Sequence, residues 1–362
     1  MKKLHTILLA VICNIAANAQ LLTPADGGSS KAMVSEWIGL TQVTINYGRP
    51  AVNGREGKIW GGLVYTGFGK LGYGNGIDCP WRAGANENTT IEFSTDVMVD
   101  GHPLAAGKYG FSIAYDPAKC TLIFLSNSTS WGSFFYDQRE DVLRVNVKPI
   151  AITEMRERLT YEFSNEKDSS AVVSLAWEKL AIPFTVSTQL QKLQLASFDR
   201  ELRGEKGFDP HAQLQVADYL VEQNTRLDEA LTYINQASAS LPTFSVLMTK
   251  GRILEKLNRH AQADSIIQVA MAKGNALEIH NYARALVREK KTQKAFEVFQ
   301  QNYKRFPNTF TTTMGMARGY AAIGKPKEAL KYANMALPLA PDDANKKFAE
   351  NIISTLKEGK EI

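Results

Sequence analysis

Trp81-Arg82-Ala83-Gly84-Ala85-Asn86-Glu87 places an aromatic face, a guanidinium, an amide and a carboxylate within one short stretch. Such a set suits a sugar or a carboxylate ligand, because the indole offers a flat apolar surface while the polar groups fix orientation. The same residues also make a self-contained turn, with Arg82 paired to Glu87 across Gly84 and Asn86 bonding the backbone ahead of a strand. The two readings differ in whether Arg82 and Glu87 face each other or face a pocket with Trp81. A second aromatic run, Trp131-Gly132 and then Phe134-Phe135-Tyr136-Asp137, adds Trp131 and Tyr136 as candidate ligand contacts. On a β-sandwich such aromatics more often serve as core than as a ligand platform.

Catalytic chemistry finds few other components. Glu87 with Asp137 or Asp141 would serve glycoside hydrolysis if two carboxyl groups stood within about 10 Å of each other. His102 sits in the turn Asp100-Gly101-His102-Pro103, and no Gly-x-Ser-x-Gly stretch accompanies it, so a Ser-His-Asp triad has no support. Gly67-Phe68-Gly69-Lys70-Leu71-Gly72 has the spacing of a dinucleotide loop. Tyr73-Gly74-Asn75-Gly76 is a poor start for the helix that would receive the phosphate, and the stretch reads as a glycine-rich surface loop. With three Cys and five His in the whole chain, a Cys/His zinc site has little to draw on. No catalytic residue, metal or cofactor is assigned.

The elements that must position these residues begin after a leader. Residues 1–20 carry Lys2 and Lys3, an apolar run from Ile7 to Ala17, and Ala17-Asn18-Ala19. This order predicts a secretory signal cleaved after Ala19 and a chain exported to the periplasm or the cell exterior. The run is shorter than the roughly 20 residues of a membrane span, and no second such run follows. Losing the leader lowers the formal charge from +5 to +3, since it holds two lysines and no acid. Neither that balance nor any Lys/Arg block favours nucleic acid. Cys79 and Cys120 are the cysteines left in an oxidising compartment, so they are either a disulfide pair or two separate buried thiols.

All five tryptophans precede residue 180, whereas the remainder is rich in Ala, Leu, Lys and Gln. Two domains of different class follow from that shift. Across 29–188 apolar residues alternate in short runs, among them Gln42–Tyr47, Thr90–Phe93, Lys108–Tyr115, Cys120–Leu125, Val142–Val147, Leu159–Phe163, Ala171–Trp177 and Ile182–Val186. Turn formers such as Asp100-Gly101, Asp116-Pro117 and Asn165–Ser169 separate them, which predicts an antiparallel β-sandwich.

From residue 189 the period becomes helical. A connecting helix and linker (189–209) precedes four similar units (210–341) and a final solvating helix (342–362). Ala230, Ala263, Ala295 and Ala329 recur at separations of 33, 32 and 34 residues. Pro242, Pro307 and Pro341 stand twelve residues later, with Asn275 in the remaining unit, and Ala237, Ala270 and Ala336 stand seven later, with Asn302 as the exception. Small residues at helical spacing let helices pack closely, and the proline ends each pair. These units resemble the tetratricopeptide (TPR) repeat family, which implies an all-α helical solenoid whose concave surface docks a protein or peptide. One departure is Asp218, where the family has a small residue, which predicts an irregular first pair.

The first domain resembles a family known as domain of unknown function 2911, found in secreted proteins of Bacteroidota. The resemblance is carried by SSKAMVSEWIGLTQVTINYGRP (29–50), IWGGLV (59–64), WRAGANENTTIEFSTDVMVDGHPLAAGKYGFSI (81–113), WGSFFYDQREDVLRVNVKP (131–149) and AVVSLAWEKLAIPFTV (171–186). It implies no activity. Sequence alone therefore points to an exported, non-catalytic binding or scaffolding protein, with a protein or peptide on the repeats and a small polar or carbohydrate ligand as a candidate for the sandwich. A hydrolase using paired carboxylates is the alternative.

Overall fold

The computed structural model describes residues 29–360 and 362, and the leader-like segment 1–20 lies outside the described residues. The chain divides into two compact units, the first ending at Leu195 and the second beginning at Ala196.

Among the described residues the first unit holds ten strands: β1 (Ser30–Ile38), β2 (Thr41–Arg49), β3 (Thr90–Phe93), β4 (Val97–Val99), β5 (His102–Leu104), β6 (Gly107–Ala114), β7 (Cys120–Leu125), β8 (Asp141–Val147), β9 (Ile150–Lys167) and β10 (Ser170–Ser187). They form a six-stranded sheet in the order β1-β2-β3-β6-β7-β8 and a four-stranded sheet in the order β5-β4-β10-β9. Every pairing within the two sheets is antiparallel. Alternation decides which residues face inward: Val43, Ile45 and Tyr47 from β2 and Leu122 and Phe124 from β7 join Tyr161, Val173, Leu175 and Phe184 of the other sheet in one buried cluster. That shared interior makes the unit a sandwich.

The runs 171–177 and 182–186 belong to one strand. Glu178 takes φ +54 in the middle of β10, where the register with β9 shifts on either side of it. This bulge admits an extra residue without ending the strand, and it turns a buried carboxylate toward the Gly57 N–H. The charged Glu178-Lys179 pair interrupts the apolar pattern, so local sequence reads a break where the backbone continues.

Of the two readings of the cysteines, sheet parity favours separate buried thiols. Cys120 shares the interior face of β7 with Leu122 and Phe124, whereas Cys79 packs against Ile123 and Leu125 on the opposite face. Both are buried free thiols, and the sheet lies between them.

The helices are α1 (Leu190–Glu201), α2 (Pro210–Glu222), α3 (Leu227–Ser240), α4 (Phe244–Lys256), α5 (His260–Lys273), α6 (Ala276–Arg288), α7 (Thr292–Arg305), α8 (Phe310–Ala322), α9 (Pro326–Ala336) and α10 (Asp343–Lys357). In the second unit α2 packs on α3, α4 on α5, α6 on α7 and α8 on α9, giving four helix pairs, and α10 closes on α9. The recurring alanines 230, 263, 295 and 329 are all fully buried where the helices meet. Asn302 fits the small-residue column because its amide donates to the Ala276 carbonyl at 2.8 Å. Asn275, in the place of a proline, caps α6: its side chain accepts from the Leu277 and Glu278 N–H groups, and Glu278 accepts from its N–H.

Within the last three pairs the length is constant. Thr243 to Ala263, Asn275 to Ala295 and Thr309 to Ala329 are each 20 residues from N-cap to alanine. The uneven repeat period arises wholly in the linkers between pairs, which run 12 to 14 residues from alanine to the next N-cap. The first pair spans 21 residues, from Asp209 to Ala230, because its turn carries one extra residue and uses positive φ at both Asn224 and Arg226. Counting from the N-cap then puts Ala217, not Asp218, in register with Gly251, Ala283 and Ala317, and all four are buried. The first pair is irregular in its turn, and its helix contact is the ordinary small residue.

Ala217→Leu should therefore lower stability by about 1–3 kcal/mol through overpacking, whereas Asp218→Ala, at the half-exposed neighbour, should cost under about 1 kcal/mol. Urea denaturation followed by circular dichroism distinguishes the two; equal losses would put the small position back at Asp218.

Candidate functional site

The Trp81–Glu87 stretch is anchored from three sides. Trp81 exchanges backbone hydrogen bonds with Ile113, so it extends the six-stranded sheet past the end of β3. Its indole is buried, stacked on Trp177 at 6.2 Å between centroids and meeting Trp60 edge-on at 5.7 Å. Ala83 takes φ +52, a strained value for an alanine, and is held there because the buried Tyr161 hydroxyl donates to its carbonyl at 2.8 Å. On the β2 side contact is so close that a Cβ at Gly48 would lie 1.9 Å from the Ala85 carbonyl oxygen.

Arg82 and Glu87 neither bond each other nor share a pocket with Trp81. The Arg82 guanidinium donates to the Asn86 carbonyl at 3.0 Å and lies 5.3 Å from the Phe134 ring centroid, and burial lowers its pKa. Glu87 pairs with Lys31 at 2.5 Å, and that hydrogen bond holds its carboxyl below the usual range. Asn86 turns its side-chain amide to the Ser29 carbonyl at 3.5 Å.

The second aromatic cluster is divided as well. Trp131 is exposed, while Tyr136 is buried, donating to Asp141 at 2.9 Å and accepting from Arg144 at 2.7 Å. Burial, and then the Asp141 contact, push the Tyr136 phenol up to about 12. Asp137 is paired with Arg139 and Asp141 with Arg144. Each carboxylate considered for hydrolysis thus has its own cation. Gly67–Gly72 passes through irregular loop with no helix after it, and His102 lies exposed in β5. Among the described residues no cluster of three metal-ligating side chains forms, and no helix is long and apolar enough to cross a membrane.

A surface that the sequence reading passed over lies on the array. Successive first helices touch, α2 with α4 and α6 with α8. The ninth residue after each N-cap falls on this face: Asp218, then Arg252, Arg284 and Arg318. Contact between neighbours is direct, since Arg252 and Thr249 both donate to the same Asp218 carboxylate oxygen, Thr249 at 2.7 Å. The signal was present in the sequence: each arginine stands eleven residues before a recurring alanine, and the extra turn residue displaces only the first member of the column.

Beside this column α4 and α6 stand farther apart than the other first-helix neighbours, at the junction with the shortest linker. The resulting cleft, of 530 Å³, has an apolar floor that includes Met248, Ile267 and Leu286, with Tyr282 at its side. Several of its rim charges are paired within the protein, Lys291 with Glu289, Lys294 with Asp264 and Arg252 with Asp218. On the side of α6 that meets α8, His280 is buried against Phe299 and Gly315, its Nδ1 lacking a partner among the described residues. Burial first, then the charges of Arg318 and Arg284, lower its pKa to about 4.

Two measurements check these assignments. Tyr161→Phe leaves the Ala83 carbonyl unpaired and should cost about 1–3 kcal/mol in urea denaturation, with Glu87→Gln changing little; a reversed order would place the anchor at Glu87. His280 has a folded-state pKa below its unfolded value of about 6.5, so the unfolded chain takes the proton first. Stability is full above that value and falls by about 3 kcal/mol as pH drops from about 6.5 to 4. His280→Gln should flatten this part of the pH profile, and an unchanged profile would move the sensitivity elsewhere.

Comparison with solved structures finds repeat proteins along the helical part. These include YrrB, a TPR protein with an unusual peptide-binding site (18% identity, 44% of this chain, 83% of that chain, TM-score 0.28). Others are Pseudomonas aeruginosa pilF (16%, 43% and 71%, 0.30) and MamA 41-end from Desulfovibrio magneticus RS-1 (13%, 43% and 95%, 0.27). No curated protein matches the chain. Residues 29–186, the sandwich with its Trp81–Glu87 anchor, match the model of the family described as protein of unknown function (DUF2911).

Proposed function

We propose that this chain is an exported, non-catalytic docking protein in which the helical array holds a protein or peptide segment. The observation that carries the reading is the cleft of 530 Å³ between α4 and α6, whose apolar floor opens where the first-helix face parts. An apolar floor with polar groups around it is the anatomy of a peptide-binding groove, in which buried anchors supply affinity and the rim supplies orientation. The sandwich serves as a structural base, because its aromatic and charged groups at Trp81, Arg82, Glu87 and Tyr136 are engaged with one another or with the backbone. Lys2, Lys3, the apolar run and Ala17-Asn18-Ala19 support export.

The test is affinity purification of the full chain from the envelope fraction of its own cells, with mass spectrometry of bait and partners. The expected bait lacks its leader, and a specific partner is lost when Ala285→Arg fills the cleft. A bait found in the cytosol with its leader intact would sink the export reading, and a partner set indifferent to Ala285→Arg would sink the docking site.

A further inference from the structure

We propose that the first-helix face of α6 and α8 binds an acidic peptide segment of a partner protein, with carboxylates of that segment set against Arg284 and Arg318. This rests on the docking reading and gives it a chemical specificity.

The argument starts from a column of like charge. Arg252, Arg284 and Arg318 occupy the same position in three consecutive pairs, so the array stacks them along one face. The protein supplies an acid to the first of them only, Asp218 of α2. Among the described residues, no carboxylate of the chain lies within 4.0 Å of Arg284 or Arg318. Arg318 is half-buried, with its guanidinium 5.5 Å from the Phe348 ring centroid. A cation taken partly out of water without an anion is unfavourable, and a ring face offsets only part of that. Burial and the neighbouring Arg284 charge both lower the Arg318 pKa, and the same two arginines disfavour the charged form of His280 beneath them. The face is therefore cationic, crowded and lacking an anion of its own, and an incoming carboxylate relieves the repulsion at both arginines at once.

Geometry selects an extended peptide. Packed helices lie about 8–10 Å apart, and an extended chain rises about 3.3 Å per residue. Acidic side chains two or three residues apart then reach arginines on adjacent first helices. The Asp218 contact with Arg252 and Thr249 is the array's own instance of this recognition, one carboxylate set across two first helices. Nucleic acid is the poorer match, since the chain without its leader carries a formal charge of only +3 and the stripe is short.

Fluorescence anisotropy with the full chain tests this, using a fluorescein-labelled hexaglutamate peptide with an amidated C-terminus and its glutamine counterpart. The glutamate peptide should bind, with affinity falling as salt rises, and the glutamine peptide should bind at least about tenfold more weakly. Arg284→Gln and Arg318→Gln should each weaken binding about fivefold, whereas Arg318→Lys should retain most of it. Lys273→Gln, which removes the same charge at the end of α5, should leave it unchanged. If Arg318→Gln fails to fold by circular dichroism, the exposed Arg284→Gln carries the test. Equal affinity for both peptides, indifference to Arg284→Gln, or stronger competition by a DNA oligonucleotide than by unlabelled hexaglutamate would overturn the proposal. A partner that is lost with Ala285→Arg but unaffected by Arg284→Gln would overturn the acidic specificity while leaving the docking reading intact.

Discussion

The hydrogen bond from the Tyr161 hydroxyl to the Ala83 carbonyl ties the Trp81–Glu87 loop to the opposite sheet of the sandwich. Much of the first unit follows from it. Both groups are buried, so neither could find water if the bond were absent, and the bond holds Ala83 at a positive φ that the residue would not choose alone. With the loop fixed, Trp81 enters the interior against Trp60 and Trp177, and the backbone at Ala85 rests on Gly48. Aromatic pairs of this kind add about 0.5–1.5 kcal/mol each beyond their buried area. A stretch whose composition resembles a ligand platform is in this way consumed by the architecture.

The second unit obeys a simpler constraint. A helix pair can bury its small-residue seam only if its two helices meet in a set register, and so the distance from N-cap to alanine does not vary among the last three pairs. Among those three pairs length variation is confined to linkers, where it changes the placement of a whole pair without disturbing its interior. The shortest linker, Gly274-Asn275, lies where α4 and α6 part and the cleft opens. α10 buries Ala349, Ile353 and Leu356 against α9, covering the apolar end of the array.

The two units differ in one set of charges. In the sandwich Arg82, Glu87, Asp137 and Asp141 are each bound to a partner within the domain. On the array the column that begins with Asp218 and Arg252 continues as Arg284 and Arg318 without further acids. In the sandwich these charges are spent within the fold, whereas among the described residues Arg284 and Arg318 have no acid of the chain set against them.

Much of this fold was legible in the sequence, because alternation and helical period are local consequences of which face is buried. The strands 90–93 and 120–125 and the alanine column needed no tertiary information. Even the arginine column is written at fixed distance from those alanines. What local pattern could not carry was the pairing of residues far apart in the chain. Lys31 rather than Arg82 meets Glu87, 56 residues away in sequence, and Tyr161 meets Ala83 across 78 residues. The Glu178 bulge joins two runs that alternation separates, sheet parity sets Cys79 and Cys120 on opposite faces, and one extra turn residue moves the small position from Asp218 to Ala217. The sequence by itself determined the class of each unit, since periodicity is a property of neighbours along the chain. Only the tertiary structure decided which polar groups are spent on one another and which stay available, because that depends on what folding brings within hydrogen-bonding distance.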